Sequence, residues 1–76
     1  MQDYQYELDA TDETCPQPVM QTKQLLKKMK SGEVLHVMAT DPVAEQDINI
    51  LLEAIADKLI EKSQDDGVFH FYIEKT

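Results

Sequence analysis

The one cysteine of the chain, Cys15, stands in the run Cys15-Pro16-Gln17-Pro18. A thiolate is a strong nucleophile, and it can carry a second sulfur as a persulfide or be capped by oxidation. The prolines define the setting. A residue before proline avoids the α region, so Cys15 and Gln17 are both expected in extended geometry. Pro18, and with it Pro16, can occupy the first turn of a helix, where a missing N–H costs nothing. Cys15 is thus expected just off a helix N-terminus, where the dipole and free amides favour an anion. Because the prolines donate nothing, Gln17 and Val19 supply the nearest amides. The first 22 residues also hold Asp3, Glu7, Asp9, Asp12 and Glu13 with no lysine. Those charges oppose ionisation, so only a modest lowering of the thiol pKa is expected. A lone cysteine is commonly just a small buried hydrophobe. A polar loop between prolines serves no evident packing purpose, which argues for chemistry.

Other reactive side chains are sparse. His36 and His70 each fall in a predicted strand and read as ordinary sheet or surface residues, not as the base of a Cys–His couple. One cysteine excludes an intramolecular disulfide and a CxxC pair, and no metal or cofactor is expected. Asp41-Pro42 and Asp47-Ile48 mark a strand-to-helix turn. Asp41 closes the strand, Ala44 to Asp47 opens the helix, and Asp47 suits its first turn, where a carboxylate favours the dipole. Lys23, Lys27, Lys28 and Lys30 read as a solvated helix face. Met20, Met29 and Met38 read as core or near-core packing.

Positioning these groups requires a fold that 76 residues can make, which is one domain over 1–76 with a single core. Tyr4, Tyr6 and Leu8 alternate with Gln5 and Glu7, predicting a strand over Tyr4 to Leu8. Pro18 to Lys30 is predicted helical, with Val19, Thr22, Leu25, Leu26 and Met29 on one face. Ser31-Gly32 stops it. Val34 to Ala39 is a short apolar run suited to a central strand. A second helix starts at Ala44 with Ile48, Leu51, Leu52 and Ile55 inward. Its periodicity could run on through Leu59 to Lys62. Asp66-Gly67 is a hairpin signal, however, and Phe69, Phe71 and Ile73 alternate behind it. A hairpin needs a strand on both sides, so Lys58 to Gln64 is read as strand. The result is an α+β chain, a two-layer α/β sandwich in the order β-α-β-α-β-β, with two helices and a four-stranded mixed sheet. Helical connections favour parallel pairing.

The net charge is −8 and all seven basic residues are lysines. Without arginine, direct nucleic-acid binding is not expected. The charge reads first as solubility and second as attraction to a basic partner surface. The N-terminal run lacks the basic and apolar regions of a signal peptide. No stretch approaches the roughly 18 apolar residues of a membrane span. A soluble, cytoplasmic protein is expected.

Leu8-Asp9-Ala10, Cys15-Pro16-Gln17-Pro18, Gly32-Glu33, Asp41-Pro42, Asp47-Ile48 and the strand from Gly67-Val68-Phe69 to Ile73-Glu74-Lys75 together resemble the TusA/SirA/YedF family of small sulfur-transfer proteins. The likeness runs from about Leu8 to the end, and Cys-Pro-x-Pro at the start of the first helix is its signature. The resemblance implies a β-α-β-α-β-β sandwich and a sulfur carrier. Cys15 would accept sulfane sulfur as a persulfide, with Pro16 and Pro18 fixing its presentation. Gln17, Asp41, Pro42 and Asp47 would be the supporting motif residues. Implied partners are sulfur-donor and sulfur-acceptor proteins, a cysteine desulfurase or a membrane sulfur transporter among them. The chain departs from the family pattern at Asp12-Glu13-Thr14, at Ala56-Asp57 and at Ala44-Glu45-Gln46. These changes resemble the YedF-like branch and leave a tRNA-thiolation role without support. The implied protein is a carrier more than a stand-alone enzyme. The competing readings are a non-catalytic binding or regulatory module of the same fold and, last, a thiol-redox sensor.

Overall fold

The computed structural model describes residues 3–11, 17–55 and 57–76. Within them the chain runs β1 (Tyr6–Ala10), α1 (Gln17–Lys28), β2 (Val34–Ala39), α2 (Pro42–Ile55), β3 (Lys58–Asp65) and β4 (Val68–Glu74). The four strands form one sheet in the order β1-β2-β4-β3. β1 and β2 pair in parallel, while β4 is antiparallel to both of its neighbours. The expected order of elements and the mixed sheet are therefore present, with both helices on one face.

The core lies between that face and the helices. Leu35 and Val37 of β2, Phe69, Phe71 and Ile73 of β4, Leu26 of α1 with Met29 just beyond it, and Ile48 and Leu52 of α2 form one buried cluster. Alternation places every second strand residue inward, so Tyr6, Leu8 and Leu59 pack at its margins. Burying a side chain such as Phe71 or Leu35 contributes about 1.5–3 kcal/mol. β4 comes last in the chain yet lies inside the sheet, which is why Phe71 and Ile73 are fully enclosed.

Several boundaries and placements differ from expectation. β1 begins at Tyr6 and not Tyr4, because its partner residues on β2 run from Leu35 to Ala39. Tyr4 lies before the strand and is 40% exposed. α1 spans Gln17–Lys28, one residue earlier at its start and two shorter at its end than the expected helix. α2 starts at Pro42 and not Ala44, since Pro42 has the fixed φ that a first helical residue needs. Met20 is 51% exposed and does not join the core; the inward face of α1 is carried by Pro18, Thr22 and Leu26, with Met29 buried just past its end.

The hairpin reading holds over the continued helix. β3 pairs with β4 from Lys58 to Asp65, with an irregularity between Leu59 and Glu61. The turn has positive φ at both central residues, 56° at Asp66 and 81° at Gly67, as a two-residue hairpin following the sheet twist requires. Gly32, with φ 89°, ends the α1 region and donates its N–H to the Lys75 carbonyl at 2.8 Å. The chain end is anchored at Asp57, a buried residue whose Oδ1 accepts from the Thr76 backbone N–H at 3.2 Å and hydroxyl at 2.8 Å.

Candidate functional site

Parallel pairing brings the C-terminal ends of β1 and β2 to one edge of the sheet, and the helix that follows each strand starts there. In open α/β sheets, this carboxyl edge is where ligands and reactive groups collect. The connection between Thr11 and Gln17 carries Cys15. Cys15 and Pro16 lie outside the described residues, so the expected extended geometry of Cys15 and the helical placement of Pro16 do too.

What flanks that connection is well ordered by local bonds. Asp9 Oδ1 accepts from the Thr11 backbone N–H at 3.1 Å and from its hydroxyl at 2.7 Å. These bonds hold the Asp9 carboxyl below its ordinary pKa. The Thr40 hydroxyl donates to the Thr11 carbonyl and so ties the end of β2 to the end of β1. On the far side, Gln17 is already helical. This corrects the expectation of an extended Gln17: the bias before proline is overcome where Pro18 is fully buried in the first turn. Thr22 then donates its hydroxyl to the Pro18 carbonyl at 2.7 Å, closing that turn inside the protein.

The second helix supplies the other expected residues. Asp41 is the N-cap of α2: its Oδ1 accepts from the Val43 N–H at 3.0 Å, and its carbonyl accepts from Ala44 N–H at 3.0 Å. Pro42 follows as the first helical residue. Asp47 is half-buried and lies in the second turn, not the first as expected; the first-turn acid is Glu45, which pairs with Lys62 of β3 at 2.9 Å. Pro18, Asp41 and Pro42 are thus all brought to the starts of helices that share the sheet's carboxyl edge. Exposed Met20 and Val43 belong to the same two helix starts.

A cluster that the sequence reading missed lies on the opposite face of the sheet, which no helix covers. His36 Nε2 and His70 Nδ1 are 2.9 Å apart. The His36 ring stacks on Tyr72 at 4.4 Å with planes 4° apart, and Tyr4 leans on His36 at 4.9 Å. His36 is only 5% exposed. Burial, and then the neighbouring His70, push its pKa below the ordinary 6.5, against an upward pull from Glu7. Glu7 Oε2 lies 3.7 Å from His36 Nδ1 and accepts the Tyr4 hydroxyl at 2.9 Å. In the contact between the two rings one nitrogen donates and the other accepts, and Glu7 lies on the Nδ1 side of His36. The two histidines are 34 residues apart in sequence. Only the register could have revealed them, since His36 faces Tyr72 and His70 is the diagonal neighbour. Among the described residues no group of three or more His, Cys, Asp or Glu is arranged to hold a metal ion.

These features define a small two-layer α/β domain whose cysteine-bearing connection enters a helix at the carboxyl edge of a parallel strand pair. Comparison with known proteins gives the class its family. The family model described as sulfurtransferase TusA matches residues 6–75, and the chain belongs to that family. The sulfur carrier protein TusA of Allochromatium vinosum is 41% identical over 76 residues, covering all of both chains. The sulfur carrier protein TusA of Pseudomonas putida F1 is 37% identical over 68 residues, 90% of this chain and 85% of the relative. The putative sulfur carrier protein YrkI of Bacillus subtilis is 32% identical over 68 residues, 90% of this chain and 91% of its own. The crystal structure of a SirA-like protein from Desulfitobacterium hafniense superposes with a TM-score of 0.83 at 25% identity, covering 92% of this chain and 96% of that one.

Proposed function

We propose that the chain is a sulfur carrier that holds sulfane sulfur as a persulfide on Cys15. One observation carries this. The only cysteine lies in Cys15-Pro16-Gln17-Pro18, directly before α1, in a chain whose match to the TusA family spans residues 6–75. In loading, the Cys15 thiolate attacks the outer sulfur of a donor persulfide. The Cys15 S–S bond forms, the donor S–S bond breaks, and the donor thiolate leaves with the electron pair. In discharge an acceptor thiolate attacks the terminal sulfur and Cys15 leaves as thiolate. Neither step consumes an oxidant. With no second thiol in the chain, the persulfide cannot resolve into an internal disulfide.

Each motif residue has a role in this reading. The α1 N-terminus and the amides of Gln17 and Val19 favour the anionic sulfur. Pro16 and Pro18 stiffen the approach to the helix. Asp41 and Pro42 fix the start of α2 at the same edge, and Asp47 lies one turn further along. Exposed Met20 and Val43 are suited to donor and acceptor proteins that must approach the sulfur closely. The partners are such proteins, in the cytoplasm, and the domain is the whole of 1–76. No helix of the described residues is long and apolar enough to cross a membrane. The departures at Asp12-Glu13-Thr14 and Ala44-Glu45-Gln46 support an acceptor outside the tRNA relay and a place near the YedF-like branch.

The test is an intact mass without reductant after incubation with a cysteine desulfurase and cysteine, repeated with thiosulfate and with polysulfide as donors. The wild type should gain the mass of one sulfur, lose it to reductant, and show no gain as Cys15→Ser. Failure with every donor, while Cys15 alkylates freely, would sink the carrier reading and favour the binding-module alternative.

A further inference from the structure

We infer that His36 and His70 form a two-proton latch on the open face of the sheet, bonded while the pair holds no extra proton or one, and parted when it holds two. The latch involves neither Cys15 nor the helix starts. The ring planes are 18° apart and the centroids 5.1 Å apart. With His36 Nε2 and His70 Nδ1 at 2.9 Å, that separation is an edge-to-edge approach, nitrogen to nitrogen. A neutral imidazole has one N–H donor and one acceptor nitrogen, and an imidazolium has two donors and no acceptor. The neutral pair therefore makes one N–H···N bond. One added proton still leaves one acceptor, so the bond persists and becomes charge-assisted. A second added proton puts N–H on both facing nitrogens and brings two cations into contact. The bond then has no acceptor, and the rings must separate.

The two rings are not equally free to leave. His36 is buried, stacked on Tyr72 at 4.4 Å and covered by Tyr4 at 4.9 Å. His70 is half-buried and lines a depression of ≈ 340 Å³ with Glu61, Ser63 and Asp65 of β3. That depression gives the His70 ring a place to turn into, with carboxylates to receive the cation. Burial and His70 hold His36 below its ordinary pKa, so His70 takes the first proton while His36 Nε2 accepts. The second proton falls on His36, whose Nδ1 is buried without a hydrogen bond and faces Glu7 Oε2 at 3.7 Å. The groups around the pair are Tyr4 ahead of β1, Glu7 and Asp9 on β1, Glu61 and Asp65 on β3, and Tyr72 on β4, with Lys58 and Glu74 opposite each other at the start of β3. This excess of carboxylates favours uptake of both protons at the same face.

The test follows the imidazole nitrogens and backbone amides of the isotope-labelled full chain by NMR as pH is lowered. The wild type should show two imidazole steps at least about one pH unit apart, the separation that marks interacting sites. The scalar coupling between His36 Nε2 and His70 Nδ1 across the hydrogen bond should survive the first step and vanish at the second. Amide shifts at the second step should centre on Ser63, Asp65, His70 and Tyr72. His36→Phe and His70→Phe each leave one imidazole and a single step. His70 alone should titrate below the first wild-type step, having lost its acceptor, and His36 alone above the second, having lost a neighbouring cation. Single-variant midpoints equal to the wild-type steps, a coupling that is absent at neutral pH or persists through both steps, or its loss only as every amide shifts in global unfolding would each overturn the latch.

Discussion

His36 shows how one residue couples burial to pH. Its pKa is pushed below 6.5 by burial and by His70. The groups facing it are Glu7 on β1, Tyr4 ahead of that strand, and His70 and Tyr72 on β4. In the unfolded chain the imidazole protonates near 6.5; in the folded protein it resists until a lower pH. Below 6.5 the unfolded state therefore binds more protons, and folding stability falls as pH falls through that window. Above 6.5 both states are neutral there and the full contribution is present. Urea unfolding at a series of pH values should show this loss, and His36→Phe, which keeps a ring against Tyr72, should flatten it. Asp41 makes a second prediction of this size. Asp41→Ala removes the acceptor for the Val43 N–H and should cost about 1 kcal/mol in the same assay. A cap residue is legible from sequence because its bond is local. The histidine pair is not, because it needs the register of two strands.

Elements were legible where pattern and punctuation agreed. β2 and β4 have alternation or continuous apolar runs bounded by turn residues, and both fall where they were expected. The β3 segment was ambiguous because Leu59 and Lys62 fit a helical period as well as a strand. Asp66-Gly67 decided it, since only a hairpin uses two successive residues with positive φ. Gly67→Ala tests that directly. A Cβ at Gly67 meets nothing within 4 Å, so its cost is conformational alone. It should destabilise the protein by about 1–2 kcal/mol, read as a lower urea midpoint with unchanged slope. The misplaced elements have equally physical reasons. Tyr4 has the alternation of a strand residue, but β2 offers β1 no ladder partner that early and the ring stacks on the open face instead. Met20 is apolar, yet α1 turns Thr22 inward and Met20 outward because the Thr22 hydroxyl is satisfied by Pro18. Residue types and their spacing marked Cys15-Pro16-Gln17-Pro18, Asp41 and Pro42 as candidates, and of these Pro18, Asp41 and Pro42 stand at helix starts. The shared edge that joins the last two to α1 is a consequence of parallel pairing, which no single segment encodes.

At the scale of the molecule, three facts combine: a small chain, one core, and a last strand that closes it from inside. A folded chain of this length has a stability of roughly 4–11 kcal/mol. Its sheet is incomplete until β4 enters between β2 and β3. β3 has no other neighbour, so it joins the sheet only through the docking of β4 against β2. Phe71 is the side chain on which this docking turns. It is fully buried, faces Val37 across one ladder and Lys62 across the other, and belongs to the core cluster. Phe71→Ala should cost about 3–5 kcal/mol, a large share of the total. Ile73→Val removes one methylene from the same strand and should cost about 0.5–1.5 kcal/mol. In thermal melts followed by circular dichroism, the Ile73 variant should keep a sharp transition at a lower midpoint. The Phe71 variant should melt broadly or begin unfolded at 25 °C, and β1, whose only ladder partner is β2, should lose its order with the rest. A Phe71 variant that melted as sharply and as high as the Ile73 variant would mean that β4 does not hold the sheet together, and that the helices packed on β1 and β2 suffice.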